Sequence, residues 1–150
     1  MTIDEYLGQL ATFRRRSEKA FNRVRKYDTR ATAPRSSLNL GDGTPRSRNK
    51  GANEDNLIGL SDAIKEQREA SQQYKKFREE LYNNIYNLLY WEGLLIERVY
   101  IHNVIVNATD DLSGADDILN TKNRAQILAK LKEAKQHLAD LLRAQGVEIE

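Results

Sequence analysis

Apolar residues near the start of the chain recur at alternating steps of three and four, which is the spacing of one face of an α-helix. Between residues 3 and 27 only Ser17 interrupts this series. Such a regular seam is typical of a helix that packs against another helix along its length. The sequence therefore predicts a long helix over residues 3–29, with a buried stripe formed by Ile3, Tyr6, Leu10, Phe13, Ala20, Val24 and Tyr27.

A second apolar stripe predicts another long helix over residues 55–91. Its natural partner is the first seam, reached by folding back antiparallel as a helical hairpin. The same stripe of a second copy is the alternative partner, which would make a homodimer. We favour the hairpin. The predicted stripe is Leu60, Ile64, Ala70, Tyr74, Phe77, Leu81, Ile85 and Leu88.

The segment between these helices, at about residues 30–54, contains both prolines and only Leu38 and Leu40 as large apolar residues. Such a composition cannot build a core, so we predict a flexible loop. It is also basic. A loop of this kind can follow the phosphates of a nucleic acid, or it can be a solvated tether. Its cationic residues are Arg35, Arg46, Arg48 and Lys50.

The C-terminal part reads as several helices. Residues 94–106 are apolar on nearly every side and predict a buried helix, in which His102 is a satisfied or half-exposed core histidine rather than a metal ligand. Residues 107–121 are rich in helix-capping residues and predict short helices. The last helix, over residues 122–144, has a predicted apolar face of Ile127, Leu128, Leu131, Ala134, Leu138, Leu141 and Leu142, and we expect the tail after Gly146 to be frayed.

The predicted fold is therefore all-α. It consists of a long antiparallel, coiled-coil-like hairpin at residues 1–92 and a small helical bundle at residues 93–150.

Composition narrows the classes of function. The chain has no cysteine and only two histidines, so it lacks disulfides, thiolate metal sites and a cysteine nucleophile. It also lacks a glycine-rich nucleotide motif, and we expect no enzymatic activity, no cofactor and no bound metal. The N-terminus does not read as a secretory signal, and no apolar run reaches the length of a bilayer span. We expect a cytoplasmic protein.

Charge is distributed unevenly along the chain. Residues 1–50 hold 12 Lys and Arg against 5 Asp and Glu, a net charge of +7, whereas residues 51–150 hold 12 against 17, a net charge of −5. A basic segment of this kind is a hint of polyanion binding. Packing of the basic helix against acidic positions of the second helix, such as Glu66, explains the pattern equally well. The exposed basic residues of the first helix include Arg14, Arg15 and Arg16.

Three tyrosines near the end of the second predicted helix, Tyr82, Tyr86 and Tyr90, are spaced four apart and form an aromatic stripe beside the main seam. Aromatic rings in such a row can stack on nucleic-acid bases. We favour the alternative, in which they widen the packing face or contact a protein partner.

The order of these features resembles a family of small proteins from phages and prophages of Gram-positive bacteria, grouped with late-operon transcription activators and with proteins similar to region 4 of sigma factors. The resemblance rests on the opening MTIDEYLGQL, the basic helix after it, Ala31-Thr32 leading into the Pro/Arg/Gly loop, the long charged helix from Asp55, and the segment LIERVYI at residues 95–101.

The resemblance implies a degenerate helix-turn-helix at the C-terminus, in which residues 94–106 support the motif and residues 111–119 form its first helix. The recognition helix would start at Thr121 and present Lys122, Asn123, Gln126 and Lys130 to DNA, with the lysines meeting phosphates and the amides meeting adenine. These four are equally compatible with an ordinary helix surface. Arg14, Arg15, Arg16, Arg35, Arg46 and Arg48 would add affinity independent of base sequence.

Two functions follow from this reading. The first is a non-enzymatic, phage-type transcription regulator that binds DNA, host RNA polymerase, or both. The second is a helical protein of phage origin that binds a protein partner without DNA, for instance an inhibitor of a host protein or an adaptor in particle assembly.

Overall fold

A computed structural model describes the backbone of residues 1–32 and 47–150 and the side chains of residues 1–29 and 56–150. These residues form helices and turns, with no strand among them, and they confirm the all-α prediction. The helices are α1 (Ile3–Thr32), α2 (Ser47–Tyr86), α3 (Tyr90–Ile96), a π-helix (Glu97–His102), α4 (Asn103–Ile105), α5 (Ala115–Leu119) and α6 (Arg124–Ala144).

The predicted loop at about residues 30–54 agrees only partly with these bounds. Helix α1 continues to Thr32, and α2 starts at Ser47 rather than near Asp55. Residues 33–46 lie outside the described part of the chain. Within the described part, no helix combines the length and the apolar character that a membrane span requires.

The contacts divide the chain into two compact units. The first contains Met1–Thr12 together with Tyr74–Glu150, and the second contains Phe13–Gln73. The predicted domain boundary between residues 92 and 93 falls inside the first unit. Both α1 and α2 contribute to each unit, and each unit is described by itself below.

In the second unit, α1 and α2 pack antiparallel. Residues later in α1 contact residues earlier in α2. Ser17 shares a 3.1 Å hydrogen bond with the hydroxyl of Ser71, and Arg23 forms an ion pair with Glu66. This is the packing of basic on acidic side chains that the charge pattern allows. The predicted hairpin is confirmed.

The seam of this second unit runs through small residues. Ala20, Ala63 and Ala70 are buried, whereas Ile64 is 39% exposed. The predicted place of Ile64 in the buried stripe is therefore wrong by one position. Because hydrophobicity alone favoured the larger residue, the sequence did not distinguish Ile64 from its neighbour Ala63.

In the first unit, the start of α1 packs on the end of α2. The rings of Tyr6 and Phe77 lie 5.2 Å apart between centroids, and Leu10 and Leu81 are fully buried. Burial raises the pKa of Tyr6, and a hydrogen bond from Asn84 partly offsets this effect. These contacts anchor the end of α2, from which the chain turns into the C-terminal helices.

Helix α2 ends at Tyr86, five residues before the predicted end at Trp91. At this end the amide of Asn87 bonds to the carbonyl of Asn84, and the side chain of Asn87 donates to the carbonyl of Asn83. Asparagine is a weak helix former because its side chain competes for backbone groups. The run of asparagines therefore ends α2 where the apolar periodicity alone suggested continuation.

Gly93 lies inside α3. A Cβ atom at this position would lie 2.9 Å from the carbonyl oxygen of Ile85. Glycine is needed here because α3 approaches the backbone of α2 closely at Ile85, and not because the chain turns.

We expect Gly93→Ala to destabilise the protein by about 1–3 kcal/mol, because the backbone of α2 must shift to admit the new methyl group. Gly8→Ala is the matched control, since Gly8 lies in α1 with nothing within 4 Å of an added Cβ. That control should be neutral or stabilising by up to about 1 kcal/mol. Urea denaturation followed by circular dichroism measures both, and equal effects would contradict the close approach at Gly93.

The C-terminal helices pack on one another as the bundle prediction requires, with α3 contacting α5 and α6, and α5 contacting α6. Residues 94–106 are helical almost throughout, and His102 is exposed, beyond the half-exposed position that we expected at most. The buried Asn103 donates to the carbonyls of Asp111 and Ser113 and so holds the following loop. One cluster of the buried core of this bundle consists of Leu95, Val99, Leu112, Ala115, Ile127 and Leu131.

Helix α6 buries most of its predicted apolar face, but not all of it. Leu138 is 0% exposed, whereas Leu128 is 46% exposed. The tail also differs from the prediction, because Ile149 is buried and its carbonyl accepts a 2.9 Å hydrogen bond from Arg143. The chain after Gly146 is therefore packed rather than frayed.

Candidate functional site

The first unit exposes three large apolar or aromatic side chains at the junction of α2 and α3. Tyr86 is 77% exposed, Leu89 is 60% exposed and Tyr90 is 83% exposed. Single exposed apolar residues are common on proteins and need no explanation. Three of them within five consecutive positions form a local patch, which we call the tyrosine surface.

The end of α2 creates this surface. Tyr86 is the last residue of α2 and Tyr90 is the first of α3, while Leu89 between them has an extended backbone with ψ of 149°. Because the helix is interrupted between Tyr86 and Tyr90, the three side chains do not lie on one continuous helix. The asparagines that end α2 therefore also place the tyrosine surface.

A cavity of about 110 Å³ opens at the tyrosine surface. A cavity of ~150 Å³ is large enough for a benzene ring, so this one suits a single smaller apolar group. Gly93 contributes a wall without a side chain, and Glu97 is the charged residue of the lining. The lining residues are Ile85, Tyr86, Leu88, Tyr90, Gly93, Leu94 and Glu97.

Tyr82, the third tyrosine of the predicted stripe, supports this arrangement from α2. Its ring stacks on Tyr86 with centroids 6.2 Å apart, and its hydroxyl donates to Glu97 over 3.5 Å. Burial, followed by the negative charge of Glu97, raises the pKa of Tyr82. The structure thus brings Tyr82, Tyr86 and Tyr90 around one site, with Tyr82 half-buried and the other two exposed.

The four residues predicted to read DNA lie at the start of α6. Asn123 is the N-cap, and its side-chain oxygen accepts from the amides of Ala125 and Gln126. The side-chain oxygen of Gln126 in turn accepts a 2.8 Å hydrogen bond from Thr121. Reading adenine with an amide side chain uses its oxygen as well as its nitrogen. The oxygens of both residues are therefore already engaged within the protein.

The two lysines of this set lie in different surroundings. Lys122 precedes the helix and is exposed. Lys130 lies 3.5 Å from Glu133 and 5.2 Å from the ring centre of Trp91. Binding of DNA by these residues stays a prediction.

The other predicted cationic residues lie in the second unit or outside the described residues. Arg14 pairs with Glu18 over 3.1 Å, Arg16 donates to Gln73 over 3.3 Å, and Arg15 is exposed. Arg35 and Arg46 lie in the segment that the structure does not describe. Arg48 lies in α2, but its side chain is outside the described set.

Sequence reasoning missed one cluster of polar residues in the first unit. Glu92 on α3 is 1% exposed and contacts His137 on α6, and Glu133 lies one turn before that histidine. The spacing of Glu133 and His137, four apart on a helix, was a visible signal. Glu92 could not be matched to them, because 45 residues separate it from His137.

Comparison of the chain with models of protein families, with curated proteins and with solved structures gives no match.

Proposed function

We propose that this chain is a non-enzymatic, cytoplasmic helical module that binds a protein partner through the tyrosine surface. The observation that carries the proposal is the exposure of Tyr86 and Tyr90 at the mouth of one cavity, with the exposed Leu89 between them in sequence. The proposal corresponds to the predicted interaction protein. It also includes the RNA polymerase contact of the predicted regulator, because both need a protein-binding surface.

The composition of the surface favours a protein partner. Tyrosine is enriched in the centres of protein interfaces, where its large ring is buried at a low cost in side-chain entropy. The stacking of Tyr82 on Tyr86 restricts the exposed ring before binding, which reduces that cost further. The bend at residues 87–89 holds Tyr90 near the same cavity, so the surface is largely formed in the free protein.

The lining of the cavity indicates what the partner presents. An apolar side chain can enter the cavity and displace water from its walls. Glu97 at the wall is half-buried, and its negative charge favours a basic residue beside that apolar side chain. We therefore infer a partner segment in which a small or medium-sized apolar residue is flanked by Lys or Arg.

Affinity capture tests this proposal. The immobilised protein should retain one or more proteins from a lysate of cells that express it, and a variant with Tyr86→Ser and Tyr90→Ser should not. Phe21→Ser is the matched control, because Phe21 is an aromatic residue of the second unit that is 51% exposed. Equal retention by the wild type and the double variant would contradict the proposal.

Binding of DNA by the C-terminal helices is the second candidate, as part of the phage-type transcription regulator that the sequence suggests. It is supported by the order of α5 and α6, which contact each other across a four-residue connection at residues 120–123. Asn120 adopts a left-handed backbone with φ of 52°, which turns the chain sharply between the helices. A short helix followed by a longer one and joined to it in this way is compatible with a helix-turn-helix.

A salt titration tests this second candidate. If Lys122 and Lys130 neutralise phosphates, duplex DNA should be retarded and the affinity should fall steeply between about 50 and 200 mM salt. Lys122→Gln and Lys130→Gln together should then lower the slope of log K against log salt by about 2. Failure of micromolar protein to retard mixed-sequence duplex DNA at low salt would contradict direct DNA binding and leave the tyrosine surface unaffected.

A further inference from the structure

We propose that Glu92, Glu133 and His137 form a binding site for a divalent transition-metal ion, with zinc as the ion that suits the ligands best. The site is independent of the proposed function. It lies in the first unit and joins α3 to α6.

The positions of the three residues allow them to share one ion. Glu133 and His137 are separated by one turn of α6, so both side chains point from the same face of that helix. Glu92 faces them from α3, and one ligand atom from each residue lies within 4.8 Å of the others. Bonds to zinc of roughly 2.0–2.2 Å require ligand atoms somewhat closer than this. Glu133 and His137 are exposed and can rotate: Glu133 must approach the other two ligands, and His137 must turn from its direct contact with Glu92 so that an ion fits between them.

The chemistry of the donors selects the class of ion. One imidazole nitrogen and two carboxylate oxygens suit zinc and its neighbours among the divalent transition metals. Magnesium and calcium prefer sites made of oxygen alone, so the histidine disfavours them. Three protein ligands also leave a coordination position for water or another ligand.

The burial of Glu92 gives the site an electrostatic reason to hold a cation. Its side chain is 1% exposed, and an ionised carboxylate in such surroundings needs a positive partner. His137 provides a positive charge only when it is protonated. A divalent ion coordinated by Glu92, Glu133 and a neutral His137 would balance both carboxylates at once.

The site is accessible from solvent, and the cation beside it binds only weakly. Glu133 is 47% exposed and His137 is 46% exposed, so an ion can reach both directly from solvent. The competing cation is Lys130, whose amino group lies 3.5 Å from Glu133. Because both partners of that pair are about half exposed, the pair is weak and easily displaced.

Metal titration of the full-length protein tests this inference. After treatment with a chelator, the protein is titrated with Co²⁺, whose visible absorption reports coordination, and Zn²⁺ is then added as a competitor. We expect Co²⁺ absorption to saturate at one equivalent, Zn²⁺ to displace it, and excess Zn²⁺ to raise the Tm. The single tryptophan, Trp91, adjoins Glu92 and provides a second signal through its fluorescence.

Two variants and a control assign the site. Glu133→Gln and His137→Gln change half-exposed side chains, and circular dichroism confirms that each variant is folded. Each should weaken metal binding by more than the roughly 10-fold that follows loss of an outer-shell partner. His102→Gln changes the other histidine of the chain, which is exposed on the π-helix, and should leave binding unchanged.

Three results would overturn the inference. The first is a titration of the wild type that shows no saturable signal and no shift in Tm with Zn²⁺. The second is unchanged binding by both Glu133→Gln and His137→Gln. The third is a loss of binding in His102→Gln equal to that in His137→Gln, which would place the ion elsewhere.

Discussion

Replacement of Leu138 by alanine should destabilise the protein by about 2–5 kcal/mol, whereas the same change at Leu128 should alter its stability by no more than about 0.5 kcal/mol. Both residues lie on α6, but Leu138 is 0% exposed and Leu128 is 46% exposed. The first substitution leaves a cavity in the core, and the second removes a side chain that is already half in water. Because whole domains are stable by about 5–15 kcal/mol, the difference is large.

Urea denaturation followed by circular dichroism measures the free energy of unfolding of both variants. The slope of this free energy against urea concentration should be the same in both variants and the wild type, so that the midpoints report stability alone. The comparison tests the register of α6, because a helix rotated about its axis would exchange the burial of the two leucines. That register also decides which residues point outward near Lys122 and Glu133. Equal destabilisation by the two substitutions would contradict the described register.

Removal of both exposed tyrosines should weaken the complex with the protein partner by roughly 30-fold or more. A hot-spot residue contributes at least ~2 kcal/mol when truncated, and ~1.4 kcal/mol corresponds to a tenfold change in Kd, so one hot spot among the two tyrosines already gives the roughly 30-fold effect. Since Tyr86 and Tyr90 are 77% and 83% exposed, their loss should leave the fold unaffected. The variant therefore separates binding from stability.

Calorimetric titration of the captured partner measures this effect in the variant with Tyr86→Ser and Tyr90→Ser. Phe21→Ser should bind like the wild type. Tyr82→Phe keeps the ring that stacks on Tyr86 but removes the hydroxyl that donates to Glu97, so its loss of affinity should be smaller than that of the double variant. Wild-type affinity in the double variant would show that the partner binds another surface.

The sequence predicted the helices well where apolar spacing was regular. The seam of α1 and the apolar face of α6 followed from steps of three and four, because a helix that packs on another must repeat with that period. The hairpin of α1 and α2 followed from the presence of two such stripes and is confirmed. These features depend on local periodicity, which a single sequence contains.

Features that depend on distant residues were not predicted. Periodicity alone did not show that Ala63 rather than Ile64 faces α1, or that Gly93 is required by the backbone of Ile85. The end of α2 was missed because the apolar periodicity, and the tyrosine spacing beside it, continued across it. The spacing of Tyr82, Tyr86 and Tyr90 did identify residues that the structure brings together.

The contact of Glu92 with His137 shows a limit of another kind. Glu92 is one of many acidic residues in a chain that is 31% charged, so nothing marks it as buried. Its burial follows from the packing of α3 on α6, which brings together positions that are far apart in sequence. Only the fold distinguishes this carboxylate from the solvated ones.

Photo-crosslinking at the tyrosine surface tests the central claim most directly. A photoreactive phenylalanine derivative at position 90 should form a cross-link to a protein partner in a lysate of cells that express the chain. The same residue at position 128, also exposed but on α6, should not form that cross-link. A cross-link from position 128 alone, or no protein cross-link from position 90, would contradict the assignment of the tyrosine surface as the binding site.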